Sequence, residues 1–157
     1  MRQMSKILIS AAVMGLLLTG CKDSGKGGAV TAVPDELAQE LSGTVSGDTL
    51  TAVSEEILAS TYMVDTSKIE ESAAYIGTGA TACEAVVIKC TDDSYPADVK
   101  ELFETRVENQ SNLYASYNAA EVENLDNALI ETSGNYAVLC VTNDTEAAKK
   151  ILEEAGF

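Results

Sequence analysis

A chain of 157 residues with 46% hydrophobic, 22% charged and 5% aromatic content suffices for one modest globular domain with a single small core. Ten basic against twenty-five acidic residues give a formal charge of -15, which repels phosphate backbones and argues against a nucleic-acid partner. With neither His nor Trp, the chain cannot build a Ser-His-Asp triad, a Cys-His dyad, a His-bearing zinc site or a His proton shuttle.

Residues 1–20 read as a leader. Arg2 and Lys6 precede an apolar run of 12 residues, Ile7 to Leu18, which suits a signal-peptide core and falls short of the ~20 residues that span a bilayer. The run ends in Leu18-Thr19-Gly20-Cys21, which resembles the bacterial lipobox: an apolar residue, two small ones, then the Cys that is acylated before cleavage on its amino side. The bland alternative is an ordinary signal peptide with a chance Cys at its end. The resemblance implies a diacylglycerol-modified Cys21 as the mature amino terminus. Two or more acyl chains hold stably to a membrane, so the expected location is the extracytoplasmic face of a bacterial cell membrane. Without residues 1–20 the balance is eight basic against twenty-five acidic residues, a formal -17.

Residues 21–33 follow as the lipidated Cys and a small, polar, Gly-rich tether with an r.m.s. reach of roughly 19 Å. Gly25-Lys26 fails as a phosphate loop, since Gly27 stands where Ser or Thr is needed and no strand precedes it. Residues 34–53 hold a short helix, Pro34 to Ser42, opened by Pro and capped by Gly43, and then a polar link.

From residue 54 the pattern is that of a folded domain. Ser54 caps a helix that begins with Glu55 and Glu56, has Ile57, Leu58, Tyr62 and Met63 as its apolar side, and ends before Asp65. Two strands follow, Ser72 to Gly77 and Cys83 to Cys90, joined by a turn over residues 78–81. The clearest helix is Pro96 to Tyr117, where Val99, Phe103, Val107, Tyr114 and Tyr117 recur at helical spacing with Arg106 and Gln110 beside the stripe. Asn127 to Thr132 and Asn135 to Val141 flank Ser133-Gly134 as a hairpin. Asn143, with Glu146 three residues on, caps the last helix, which ends at Gly156.

Strands bunched in hairpins predict an α+β fold with a four-stranded, mainly antiparallel sheet in the order β-β-α-β-β-α, preceded by two short helices. Cys83 to Cys90 and Tyr136 to Val141 are apolar at both parities, as central strands are, whereas Asn127 to Thr132 alternates like an edge. The two later helices are expected on one face and the earlier ones on the other.

Glu84-Ala85-Val86-Val87-Ile88-Lys89 in a strand, the long helix with Arg106, Gln110 and Tyr117, the Gly134-Asn135-Tyr136 hairpin and Asn143-Asp144 before a final helix resemble a family of small bacterial lipoproteins. That family is catalogued as domain of unknown function 4358. The resemblance covers Ser54 to the carboxyl end together with the lipobox, and it implies an exported, anchored α+β domain. It carries over no catalytic or binding residue.

Beyond Cys21, three cysteines remain, an odd number for an exported protein. Cys83, Cys90 and Cys140 all fall in β-type segments and read as small core residues, with a Cys140 bridge to Cys83 or to Cys90 as the alternative. Nothing basic faces any of them, which argues against a catalytic thiol. The acid pairs Asp92-Asp93, Glu55-Glu56, Glu70-Glu71 and Asp144 with Glu146 lack calcium-loop spacing and sit where acids cap helices or solvate turns. Tyr114 and Tyr117 read as core filler, with a contact surface as the alternative. No cofactor or metal is expected. The reading that fits best is a non-catalytic envelope interaction module, whose partner is an envelope protein or polymer. A solute-binding accessory lipoprotein is the alternative, and a carboxylate- or thiol-based hydrolase is the weakest reading.

Overall fold

In the computed structural model the described residues are 30–157; the leader, Cys21 and residues 22–29 of the tether lie outside them. The elements in chain order are α1 (Pro34–Ser42), β1 (Thr51–Ala52), α2 (Glu55–Tyr62), a 3-10 turn (Thr66–Lys68), β2 (Ile69–Ile76), β3 (Glu84–Cys90), α3 (Tyr95–Tyr117), α4 (Ala120–Asp126), β4 (Leu129–Ser133), β5 (Tyr136–Val141) and α5 (Thr145–Ala155). All the strands join one antiparallel sheet in the order β1-β2-β3-β5-β4. The α+β class holds, but the sheet has five strands rather than four, and α4 is an additional helix. β1 is two residues paired to Ile76 and Tyr75, inside what the sequence presents as a polar link.

The sheet is covered on both sides. Val86, Ile88 and Cys90 of β3, with Ala137, Leu139 and Val141 of β5, face α2, α3 and α4. Ala85 and Val87 of β3, with Tyr136, Val138 and Cys140 of β5, face α1 and α5. The period-two alternation of a strand splits each central strand between two apolar layers, which is why both read as apolar at both parities. The expectation that α3 and α5 share a face fails. The 23-residue α3, flanked by α2 and α4, already covers one side, so Ala148 and Leu152 of α5 find their apolar partners on the other, beside α1.

Local chemistry sets the boundaries. Ser54 Oγ accepts from Ile57 N at 3.4 Å to open α2, whose buried side is Leu58 and Tyr62, while Ile57 and Met63 are exposed. Met63 ends that helix in the left-handed region at φ 58, a position usually given to Gly. At α5 the cap is Asp144, not Asn143: its Oδ1 accepts from Ala147 N at 3.1 Å, and Asn143 instead ties the chain to Ser46. The hairpin turn is Gly134-Asn135, one residue later than expected, because Ser133 pairs with Tyr136.

Gly134 has φ 55, and an added Cβ there would meet nothing within 4 Å, so conformation alone restricts the position. Gly134→Val is expected to cost about 1–3 kcal/mol, and Gly134→Asn distinctly less, because Asn tolerates the left-handed region. Urea midpoints of the two variants check this; equal midpoints would place the strain elsewhere.

Candidate functional site

β3 begins with an acid. The parity that points Val86 and Ile88 at α3 also points Glu84 there, so its carboxylate enters the core and is 1% exposed. On α3, Arg106 follows Phe103 by three residues and Val99 by seven, which puts its side chain on the buried stripe. Tyr62 lies on the buried side of α2, four residues after Leu58.

The three side chains meet. Arg106 Nε donates to Glu84 Oε1 at 3.2 Å and Nη2 to Oε2 at 3.0 Å, while Tyr62 Oη donates to Oε2 at 2.8 Å. The guanidinium carbon stands 5.5 Å from the Tyr62 ring centre, and that ring meets Phe103 edge-on at 5.7 Å. Burial, reinforced by the charge of Glu84 and the bond to it, pushes the Tyr62 phenol well above its ordinary range. Burial opposes the charge on Arg106, but the bonds and charge of Glu84 outweigh it and hold the guanidinium protonated. Both oxygens of Glu84 are engaged, so although the residue also lines the small cleft beside it, its carboxylate belongs to a closed, mutually neutralised network.

Above it is a cleft of about 80 Å³ lined by Gly79, Thr81, Arg106, Gln110 and Tyr114. Its rim, the loop from Gly77 to Cys83, is held from several directions. Tyr114 Oη donates to the carbonyls of Thr81 and Gly79, Asn118 Nδ2 donates to Ala80 O, and the Asp48 carboxylate accepts from Thr81 Oγ1 at 2.6 Å. An added Cβ on Gly77 would stand 2.7 Å from Asp48 Oδ2, so a larger residue there would push the Asp48 carboxylate from its place beside Thr81. Tyr114 is buried, whereas Tyr117 is exposed, so the expected filler role fits the first ring alone.

The acid pairs do not converge. Asp92 accepts from Ser94 N and Oγ at the start of α3, and Glu55 and Glu56 occupy the first turn of α2. Glu70 pairs with Lys89 at 2.7 Å, Asp144 caps α5, and Glu146 pairs with Lys149. Among the described residues no group of three His, Cys, Asp or Glu could hold a metal ion.

Cys83, Cys90 and Cys140 are buried thiols. Burial, with Asp92 adding to it, pushes Cys90 up to about 11; burial, with Cys83 adding to it, pushes Cys140 up to about 12. Cys90 packs toward α3 and Cys140 toward α1 and α5, so the sheet separates them. Cys83 stands just ahead of β3, lines the small cleft with Glu84 and Arg106, and is near enough to Cys140 to help push that thiol up.

The outer edge of the sheet presents a different kind of site. β4 pairs with β5 on one side and ends the sheet on the other. On the α3 side of β4, a cleft of about 420 Å³ has an apolar floor of Val107, Leu125 and Ile130 and an acidic rim of Glu104, Glu108 and Asp126. On the α5 side, a second cleft of about 230 Å³ is lined by Leu129, Leu152 and Phe157 together with Glu131, Glu153 and Lys149. Sequence reading recognises the edge from the alternation in β4 but neither cleft, whose walls come from separate helices.

The family model described as Domain of unknown function (DUF4358) matches residues 44–142. The match starts ahead of Ser54 and stops before α5. No curated protein and no solved structure matches the chain.

Proposed function

The chain belongs to the family described as Domain of unknown function (DUF4358), and from that premise we propose that it is a non-catalytic interaction module, anchored through acylated Cys21 at the extracytoplasmic face of a bacterial cell membrane. The observation that carries the interaction reading is the open edge at β4, flanked on both faces by clefts with apolar floors and acidic rims. The engaged state of Glu84 and the raised thiols support the same reading, since neither offers an acid, base or nucleophile poised for chemistry. No helix among the described residues is long and apolar enough to cross a membrane. The anchor reading rests on the lipobox-like Leu18-Thr19-Gly20-Cys21. Solute binding is the second reading, favoured by the 420 Å³ cleft, which falls within the ~300–1,000 Å³ of small-molecule sites.

Three measurements test the proposal. A clickable fatty acid fed to the cells is expected to label the wild-type chain and not Cys21→Ala; equal labelling of the two removes the anchor. Crosslinking in the native membrane, read by mass spectrometry, is expected to return a reproducible protein or polymer partner, and its yield should fall with added salt. Turnover of a glycan, ester or peptidoglycan fragment that disappears on replacing one carboxylate or Cys would overturn the non-catalytic reading.

A further inference from the structure

The two edges of the sheet are not alike. β1 is two residues long, too short to template another strand, whereas β4 runs for five and lacks the usual protections: no Pro, no Lys, no bulge, and Glu131 as its one charge. The two-residue turn closes on the Ser133–Tyr136 pair. Alternation from that pair turns the backbone N–H and C=O groups of Ile130 and Thr132 away from β5, toward the open side. None of the backbone bonds made outside the strand pairings among the described residues uses them.

We propose that β4 is a docking strand: an extended segment of another protein, apolar in its middle and bracketed by Lys or Arg, adds beside it as a sixth strand. This inference rests on the interaction-module reading and names the surface and the partner class. Successive side chains of an added strand point to opposite faces, so one set falls over the Val107, Leu125 and Ile130 floor and the other over Leu129, Leu152 and Phe157. Charge selects the occupant. Five carboxylates, those of Glu104, Glu108, Asp126, Glu131 and Glu153, rim the two clefts against the single Lys149. A second copy of this chain would bring the same acids against them, with a formal -15 on each full chain, so the charge pattern disfavours self-pairing and favours a basic partner.

The test places a photoreactive benzophenone side chain at Thr132, at Asn112 in the α3 cleft, or at Thr51 on the opposite edge, in the full chain in the cells that make it. Thr132 and Asn112 are expected to capture the same segment, at least about tenfold above Thr51, and the captured segment should carry Lys or Arg around an apolar run. Thr132→Pro removes one outward N–H without touching the bonds to β5, and it should lower capture at Asn112 by about tenfold. Glu104→Lys with Glu108→Lys should do the same while leaving the strand backbone intact. Capture from Thr51 alone sinks the docking strand but spares the interaction module. An acidic or non-protein captive, or capture at Asn112 indifferent to both variants, overturns the proposal. Capture from none of the three positions overturns this proposal and the interaction reading together.

Discussion

Arg106→Met is expected to lower the free energy of unfolding by about 3–5 kcal/mol, because it strips the buried Glu84 carboxylate of two of its three donors and leaves an uncompensated charge in the core. The loss comes from the orphaned partner rather than from a high net worth of the pair. Taking all three polar groups out together, with Glu84→Leu, Arg106→Met and Tyr62→Phe, should therefore recover most of it, since no buried charge or hydroxyl then lacks a partner. Urea unfolding of a soluble form beginning at residue 21, with Cys21→Ser, gives both numbers. An Arg106→Met midpoint equal to wild type would mean that the guanidinium is not committed to Glu84, and the cleft lined by Arg106, Gln110 and Tyr114 would then become a candidate anion site.

The parts of this fold that are legible in the sequence are those with local punctuation. Pro34 and Gly43 bracket α1, and its bounds are read to the residue. The hairpin is found from Gly134, and the error of one position arises because Ser-Gly and Gly-Asn are both acceptable turn pairs; register across β4 and β5 decides between them. β1 is invisible because two residues carry no periodicity. α4 is hidden because it has seven residues, one buried side chain and Ala119 at its start with no side-chain cap.

Long-range placement follows a different logic. Parity shows that β3 and β5 are covered on both faces but not which helix covers which, since an amphipathic helix fits any apolar face left vacant. The same gap hides the ion pair. Glu84 opening an apolar strand and Arg106 within a helix stripe are each visible as anomalies, and an acid and a base turned into the same core are the signal that could have paired them. They lie 22 residues apart, and only the packing of α3 across β3 brings them together. The edge clefts are less legible still, because their walls gather side chains from α3, α4, β4 and α5.

Stability is expected to fall as pH rises above 9, and the buried thiols set that limit. Burial raises Cys140 from an ordinary 9.0 to about 12 and Cys90 to about 11, and it raises the Tyr62 phenol further. Between pH 9 and 11 the unfolded chain releases protons that the folded chain keeps, so the unfolded state binds fewer protons and the free energy of unfolding decreases with pH. Below pH 9 both states hold these protons and the contribution is fully present. Urea midpoints at pH 8, 9.5 and 10.5 should decline, and Cys90→Val with Cys140→Val should flatten part of the decline. The same burial strongly lowers the thiolate fraction of Cys140 near pH 8, before any loss of access. Iodoacetamide at pH 8 should therefore leave Cys140 of the folded protein unlabelled over a time that labels it fully in guanidinium. A Cys140 that resists labelling in guanidinium as well, until a reductant is added, would instead identify a disulfide, and the placement of Cys90 across the sheet excludes it as the partner.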